Sequence, residues 1–282
     1  MKKALEVLLS TNIEKIVPIS NGAFCQCYQL ITQHQSYFLK TATTPKGKLI
    51  IESEFDGLNL LKRSEAIKLP KIISYSKSDY ADFLVLEYFS FIPKNEIFWD
   101  RMGKQLALLH LETNEYWGND NSNYIGDLSQ SNPKRNSLAD HLFLDRFAPQ
   151  INLARGQGYI SCDEQTQITS VIKNSISKIP SENASLIHGD LWSGNFANTA
   201  DNIPITFDPS ANFSHREFDL AMMCLFGQVP REFNESYFKV FPLTLGWKER
   251  IEFFQSYYLL VHLNMFGLSY KAQLFNLLKK YQ

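Results

Sequence analysis

From Ile16 to about Tyr88, short runs of β-branched and aromatic residues alternate with turn formers, a pattern that predicts strands at 17–20, 25–31 and 37–40. Asn21-Gly22 supplies a turn between the first two. The period then changes. Ile51, Phe55, Leu58 and Leu61 recur at spacings of four and three, which predicts a helix over 50–61, and the unbroken apolar run at 83–88 suits a buried strand. Beyond residue 90 the helical period dominates. Phe98, Met102, Leu106 and Leu109 form one stripe, Ile168, Ile172, Ile176 and Ile179 form a second, and a third helix is expected over 249–266. The intervening stretch 119–137 is rich in Asn, Ser and Gly and reads as a loop.

A strand-rich first third and a helical remainder predict an α+β, bilobal architecture, with a small antiparallel-sheet lobe over 1–88 and a larger helical lobe over 89–282. At 282 residues, 44% hydrophobic and 20% charged, the chain has ample material for buried cores and no signature of disorder. Its 28 basic and 29 acidic residues leave a net charge of -1, which gives nucleic acid or an anionic membrane no electrostatic purchase. No apolar segment approaches the ~20 residues of a membrane span, and the N-terminal apolar run is broken by Glu6, so a cytoplasmic protein is expected. Cys25, Cys27, Cys162 and Cys224 are too few and too scattered for a disulfide framework, and no zinc-finger spacing is present.

Chemistry concentrates in one stretch, Leu186-Ile187-His188-Gly189-Asp190-Leu191-Trp192-Ser193-Gly194-Asn195, followed by Ile205-Thr206-Phe207-Asp208-Pro209. An Asp followed five residues later by an Asn, with a second Asp thirteen residues further on, is the spacing of a phosphoryl-transfer loop. Asp190 is placed to accept a hydroxyl proton, while Asn195 and Asp208 offer oxygen ligands to a magnesium ion. Asn195 is neutral, so the site does not gather a third carboxylate that would raise its neighbours' pKa values. Residues 198–202 read as the turn of a hairpin that brings Asp208 back beside Asn195. Taken singly, Asp190 could be a helix cap, Asn195 a turn former and Asp208 a surface carboxylate.

The stretch His188–Asn195, the Phe207-Asp208-Pro209-Ser210 that follows, Ser214-His215-Arg216-Glu217-Phe218-Asp219-Leu220-Ala221 and the tail Leu263-Asn264-Met265-Phe266-Gly267 together resemble the signature of the fructosamine (ketosamine) kinases. That resemblance implies a protein-kinase-like fold shared with aminoglycoside phosphotransferases and choline kinases, with ATP and Mg2+ as cofactors. It implies phosphorylation of a sugar hydroxyl on a small-molecule ketosamine or a glycated lysine, by an enzyme expected to be a monomer. Lys40 would contact the nucleotide phosphates, held by Glu54, and Glu87-Tyr88-Phe89 would form the hinge against the adenine. By the same resemblance Gly22 would belong to a phosphate-covering loop at 21–26. Trp192 and His215 are expected to line the sugar pocket, and Asp219 to brace the catalytic loop from below. A thiol beside a phosphate loop can become partly ionised and open to oxidation, which makes Cys25 and Cys27 candidates for redox sensitivity, a question the sequence leaves open. Two other readings stay open: an aminoglycoside- or choline-type phosphotransferase of the same fold, and a catalytically idle nucleotide-binding module, against which the intact set Lys40, Asp190, Asn195 and Asp208 argues.

Overall fold

The computed structural model describes residues 1–22 and 24–282, Asn21 by its backbone alone. After helix α1 (Lys2–Leu9), strands β1 (Ile13–Asn21), β2 (Gln26–Thr32), β3 (Ser36–Ala42), β4 (Ile72–Ser76) and β5 (Asp82–Glu87) form one antiparallel sheet in the order β1-β2-β3-β5-β4. The three predicted strands and the apolar run at 83–88 all lie in it. Helix α2 (Pro45–Lys62) crosses between β3 and β4. It starts a turn and a half before the predicted residue 50, because the Thr44 hydroxyl caps the Gly47 N–H at 3.1 Å and Pro45 occupies the first turn. Its inner face buries Ile51, Glu54, Leu58 and Leu61.

A two-residue strand β6 (Phe91–Ile92) leads into helix α3 (Glu96–His110), capped by Asn95 on the Phe98 N–H at 2.9 Å. Its predicted stripe, Phe98, Met102, Leu106 and Leu109, is wholly buried. β7 (Thr113–Asn114) follows, and then a correction to the sequence reading: the stretch 119–137 contains a hairpin of β8 (Asn123–Ile125) and β9 (Leu128–Gln130). Strands of three residues are too short to leave a readable alternation. The hairpin docks on α2, where Tyr124 N–H donates to Ser53 Oγ at 3.2 Å and Lys46 pairs with Asp127 at 3.0 Å.

Helix α4 (Leu138–Asp140) runs through a π-helical segment, His141–Phe147, into α5 (Ala148–Gly156), and α6 (Cys162–Ile176) opens on a Ser161–Glu164 capping box. Strands β10 (Ala184–Ile187), β11 (Phe196–Thr199), β12 (Pro204–Thr206) and β13 (Asn212–Ser214) make two small sheets, β13-β10-β7 and β12-β11-β6. Helices α7 (Glu217–Leu225), α8 (Arg231–Val240), α9 (Trp247–Phe266) and α10 (Lys271–Leu278) complete the chain. A large apolar core joins α3, α5, α6, α7 and α9, whereas the five-stranded sheet has separate small cores around Leu30, Leu39 and Val85 and around Ile51, Leu58 and Leu84. No helix among the described residues is long and apolar enough to cross a membrane.

Candidate active site

Strand β10 ends at Ile187, and the next residues turn sharply through Gly189, whose φ is +85° and where a Cβ would lie 2.2 Å from the Ser210 carbonyl oxygen. Only glycine fits there. Asp219, in the first turn of α7 and fully buried, accepts the His188 N–H at 2.7 Å on one oxygen and the Gly189 N–H at 2.8 Å on the other. His110 reaches the same carboxylate through Nε2 at 3.2 Å, and its Nδ1 lies 2.8 Å from the Tyr237 hydroxyl. A carboxylate can only accept, so His110 carries its proton on Nε2 and receives the phenol on Nδ1. Burial lowers the His110 pKa, which keeps this ring neutral. Tyr258 completes the underside by donating to the Gly189 carbonyl at 3.1 Å. The expected bracing contact of Asp219 with the loop backbone is therefore present, and three residues that sequence reasoning did not assign, His110, Tyr237 and Tyr258, hold it in place.

His188 itself faces inward. Its Nε2 donates to the Phe207 carbonyl at 3.1 Å and its Nδ1 accepts the Asp190 N–H at 3.3 Å, with burial pushing its pKa down. The histidine thus ties the Asp190 segment to the Asp208 segment as a neutral spacer.

Above this platform the five polar residues singled out in the sequence come together. Asn195 donates its amide to the Asp190 carbonyl at 2.9 Å, to Asp190 Oδ2 at 3.2 Å and to the Asp208 carbonyl at 3.4 Å. With its nitrogen so committed, its Oδ1 is the free end. Lys40, on β3, contacts Glu54 Oε2 at 2.5 Å and Asp208 Oδ1 at 3.0 Å. Glu54 is 4% exposed and reaches Lys40, whereas its neighbour Glu52 pairs with Lys77 at the surface. Burial, then the Asp208 charge, push Glu54 up to about 8, while Lys40, despite the cost of burying an ammonium, stays charged between its two carboxylates. Burial works against Asp208 as well, but Lys40 outweighs it and holds that carboxyl below its ordinary range. Burial and the Asp208 and Asp219 charges raise Asp190 to about 7, close to ideal for a general base near neutrality.

Asp208 has φ +54° immediately before Pro209, a backbone state that costs about 1–3 kcal/mol outside glycine and persists only where surrounding contacts enforce it. The reward is a carboxylate 44% exposed toward the cleft. Asp208, kept ionised by Lys40, and the free Asn195 Oδ1 form an oxygen donor set of the kind a hard divalent cation takes. Among the described residues no cluster of three His, Cys, Asp or Glu side chains suits a metal, so any ion here relies on this carboxylate and amide pair.

Two cavities flank the group. One, of about 760 Å3, runs under the five-stranded sheet past Ile19, Phe38, Glu87, Tyr88, Phe89 and Phe207 to Asp208, so the expected hinge residues border it. The other, of about 500 Å3, opens from Asp190 and Trp192 toward α9. Trp192 is 42% exposed, and its ring lies over Gly194, where a Cβ would approach the indole to 2.2 Å. Gly22 lies at the mouth of the cleft with Lys40, Asp208 and Phe266, its N–H bonded to the Cys25 carbonyl at 3.0 Å. Of the same loop, Ala23 and the Asn21 side chain lie outside the described residues.

One expectation is overturned. His215 does not line the sugar pocket: it is 1% exposed, stacked on Phe254 at 4.9 Å and enclosed by Arg216 and Glu217, because the chain enters α7 with its signature residues turned into the core. Arg216 pairs with Glu182 at 2.7 Å and Glu217 with Arg250 at 2.7 Å, so this segment is a packed junction beneath the site. The loop thiols are not activated either. Burial raises Cys25 to about 11, more than Lys40 can offset, and also raises Cys27.

A nucleotide-sized cavity, a buried lysine–glutamate pair and an Asp–Asn–Asp group at their junction define a two-lobed ATP-using phosphotransferase. Comparison with known proteins narrows the class. The model of the fructosamine kinase family matches residues 2–282, and the chain belongs to that family. It is 34% identical to a probable ketoamine kinase of Enterococcus faecium over 95% of each chain. It is similar to the crystal structure of a putative fructosamine-3-kinase of Thermobifida fusca, with a TM-score of 0.89 and 27% identity over 99% of this chain and 97% of that one. An aminoglycoside phosphotransferase solved with ADP and hygromycin B shares the fold alone, with a TM-score of 0.67 at 12% identity over 99% and 98% of the two chains.

Proposed function

We propose that this kinase is ATP- and magnesium-dependent and phosphorylates a sugar hydroxyl of ketosamines, including sugars attached to lysine. The observation that supports it best is the convergence of Lys40, Glu54, Asp190, Asn195 and Asp208, contributed by widely separated parts of the chain, at the meeting point of the two cavities. In this reading residues 1–88 form the nucleotide lobe and 89–282 the catalytic and substrate lobe. The adenine occupies the larger cavity against the Glu87–Phe89 backbone, and Lys40 is directed at the phosphates by Glu54. Asn195 Oδ1 and Asp208 are the groups that would hold magnesium, which would supply neutralisation of the phosphate charge.

Asp190 does the chemistry of the acceptor. It takes the proton of the sugar hydroxyl as that oxygen forms its bond to the γ-phosphorus, the bond from γ-phosphorus to the bridging oxygen breaks, and ADP leaves. Asn195 holds one Asp190 oxygen in place, and the Asp219 platform keeps the loop from drifting. Trp192 presents a half-exposed indole to the second cavity, a flat apolar face suited to sugar C–H groups. ADP release measured with a ribulosamine, a fructosamine, kanamycin and choline tests the reading. Turnover on a ketosamine well above the other two supports it. Faster turnover of kanamycin or choline leaves only the phosphotransferase class.

A further inference from the structure

The second cavity extends well beyond the reach of Asp190 and Trp192, toward a group of half-exposed aromatic rings that the transfer chemistry leaves without a role. Phe226 and Phe266 are 53% and 59% exposed, yet neither is scattered. Together with Tyr270 they surround the imidazole of His262, with ring centroids 5.1, 5.5 and 5.1 Å from it, and all four line the cavity. Isolated exposed apolar residues need no explanation, but several converging on one polar ring inside a cleft mark a binding surface.

The histidine sits among them in a defined chemical state. Its Nδ1 lies 2.7 Å from the Tyr258 carbonyl, one helical turn earlier on α9, and a carbonyl can only accept. The proton is therefore on Nδ1, and Nε2 carries a lone pair. Nε2 has no hydrogen-bond partner among the described residues, and it is not sealed within the protein. Burial also depresses the His262 pKa, so the ring prefers to stay neutral. No Lys or Arg borders this cavity, and its one carboxylate is Asp190. A neutral acceptor framed by π faces, with no competing cation, suits an alkylammonium N–H donor.

A ketosamine carries such a group: its secondary amine, protonated near neutral pH, is attached to the sugar only a few bonds from the hydroxyls that face the base. We propose that His262 Nε2 accepts the ammonium N–H of the bound ketosamine, with Phe226, Phe266 and Tyr270 flanking its N-substituent, and that this contact selects nitrogen-linked over oxygen-linked ketoses. The inference rests on the ketosamine reading above, and adds a specificity-determining residue to it.

The test compares kcat/KM for a fructosamine bearing a simple alkylamine with that for its ether analogue, in which oxygen replaces the nitrogen. Wild-type enzyme is expected to favour the amine by at least about tenfold, the scale of one hydrogen bond to a charged group. His262→Asn keeps a donor for Tyr258 but lacks an atom where Nε2 stands, whereas His262→Gln can return an amide oxygen to that place. The first should reduce the amine-to-ether ratio to near one and the second should recover part of it, with the KM for ATP serving as the check on folding. A wild-type enzyme that uses both compounds equally overturns the inference without any variant. Equal losses on amine and ether in His262→Asn overturn it too, since they show a structural role. A wild-type enzyme active on neither compound overturns the ketosamine reading itself.

Discussion

Asp219→Asn isolates the platform beneath the catalytic loop. The native carboxylate receives three donors, Gly189 N–H at 2.8 Å on Oδ1 and His188 N–H at 2.7 Å with His110 Nε2–H at 3.2 Å on Oδ2. Asparagine has one oxygen to offer. In its better orientation that oxygen serves His188 and His110, and the amide NH2 is turned onto the Gly189 N–H, donor against donor. Asp219, His110 and His188 are all 0% exposed, so water cannot repair the mismatch. One lost charge-assisted bond and one orphaned donor cost about 2–4 kcal/mol. For a chain of this size that is a fall in Tm of roughly 3–7 °C. Gly189 cannot stay in place without its acceptor, and it is the residue next to Asp190. A displacement on the order of 1 Å there costs about a hundredfold in rate. Calorimetry and steady-state ADP release on the same preparation should show both losses, with the KM for ATP within about twofold of wild type because the nucleotide contacts lie elsewhere. A variant that loses its full share of Tm yet keeps kcat within about threefold would refute the claim that Asp219 positions the base.

Asp208→Ala should abolish the magnesium dependence of ATP binding, read by nucleotide titration with and without the metal; an unchanged dependence would place the ion elsewhere. Trp192→Ala should raise the KM for a ketosamine at least about tenfold while leaving that for ATP near its wild-type value, since uniform substrate binding is lost and the phosphate site stays whole. Acid should unfold the protein early. Burial depresses His141 to about 4 and His215 to about 3 from an ordinary 6.5, so the unfolded chain takes up these protons first as pH falls. Stability from these two groups is complete above about pH 6.5 and declines toward pH 4 by about 1.4 kcal/mol per pH unit for each histidine. Denaturant midpoints across that window check the slope, and His215→Asn should flatten it.

The candidate catalytic group was legible in the sequence because the chemistry proposed for it depends on residue types at short, fixed spacings, and those survive in a linear reading. Asp190, Asn195 and Asp208 lie within nineteen residues of one another, the last two at the ends of one hairpin, and Lys40 lies in a strand whose apolar pattern is plain. Glu54 was legible only through the family resemblance of its helix, since Glu52 stands two residues away on the same helix. What the sequence hid depends on distance along the chain. His110, Tyr237 and Tyr258 converge on one loop from three helices, and nothing in their neighbours marks them. His215 misled because nearness in sequence to Asp208 suggested nearness to the cleft, whereas the turn into α7 rotates it onto Phe254. Cys25 misled for a related reason: a loop beside phosphates suggests a stabilised thiolate, but the thiol packs against the Gly47 carbonyl at 3.7 Å and burial decides its state.

The central claim, that Asp190 takes the acceptor's proton during phosphoryl transfer from ATP, is tested most directly by Asp190→Asn in single-turnover assays with a ketosamine, alongside equilibrium ADP binding. The substitution removes the proton acceptor and no expected phosphate contact, so transfer should slow at least about a thousandfold, or about 4 kcal/mol of transition-state stabilisation, with nucleotide affinity nearly intact. A variant that keeps a tenth of the wild-type transfer rate would contradict the assignment.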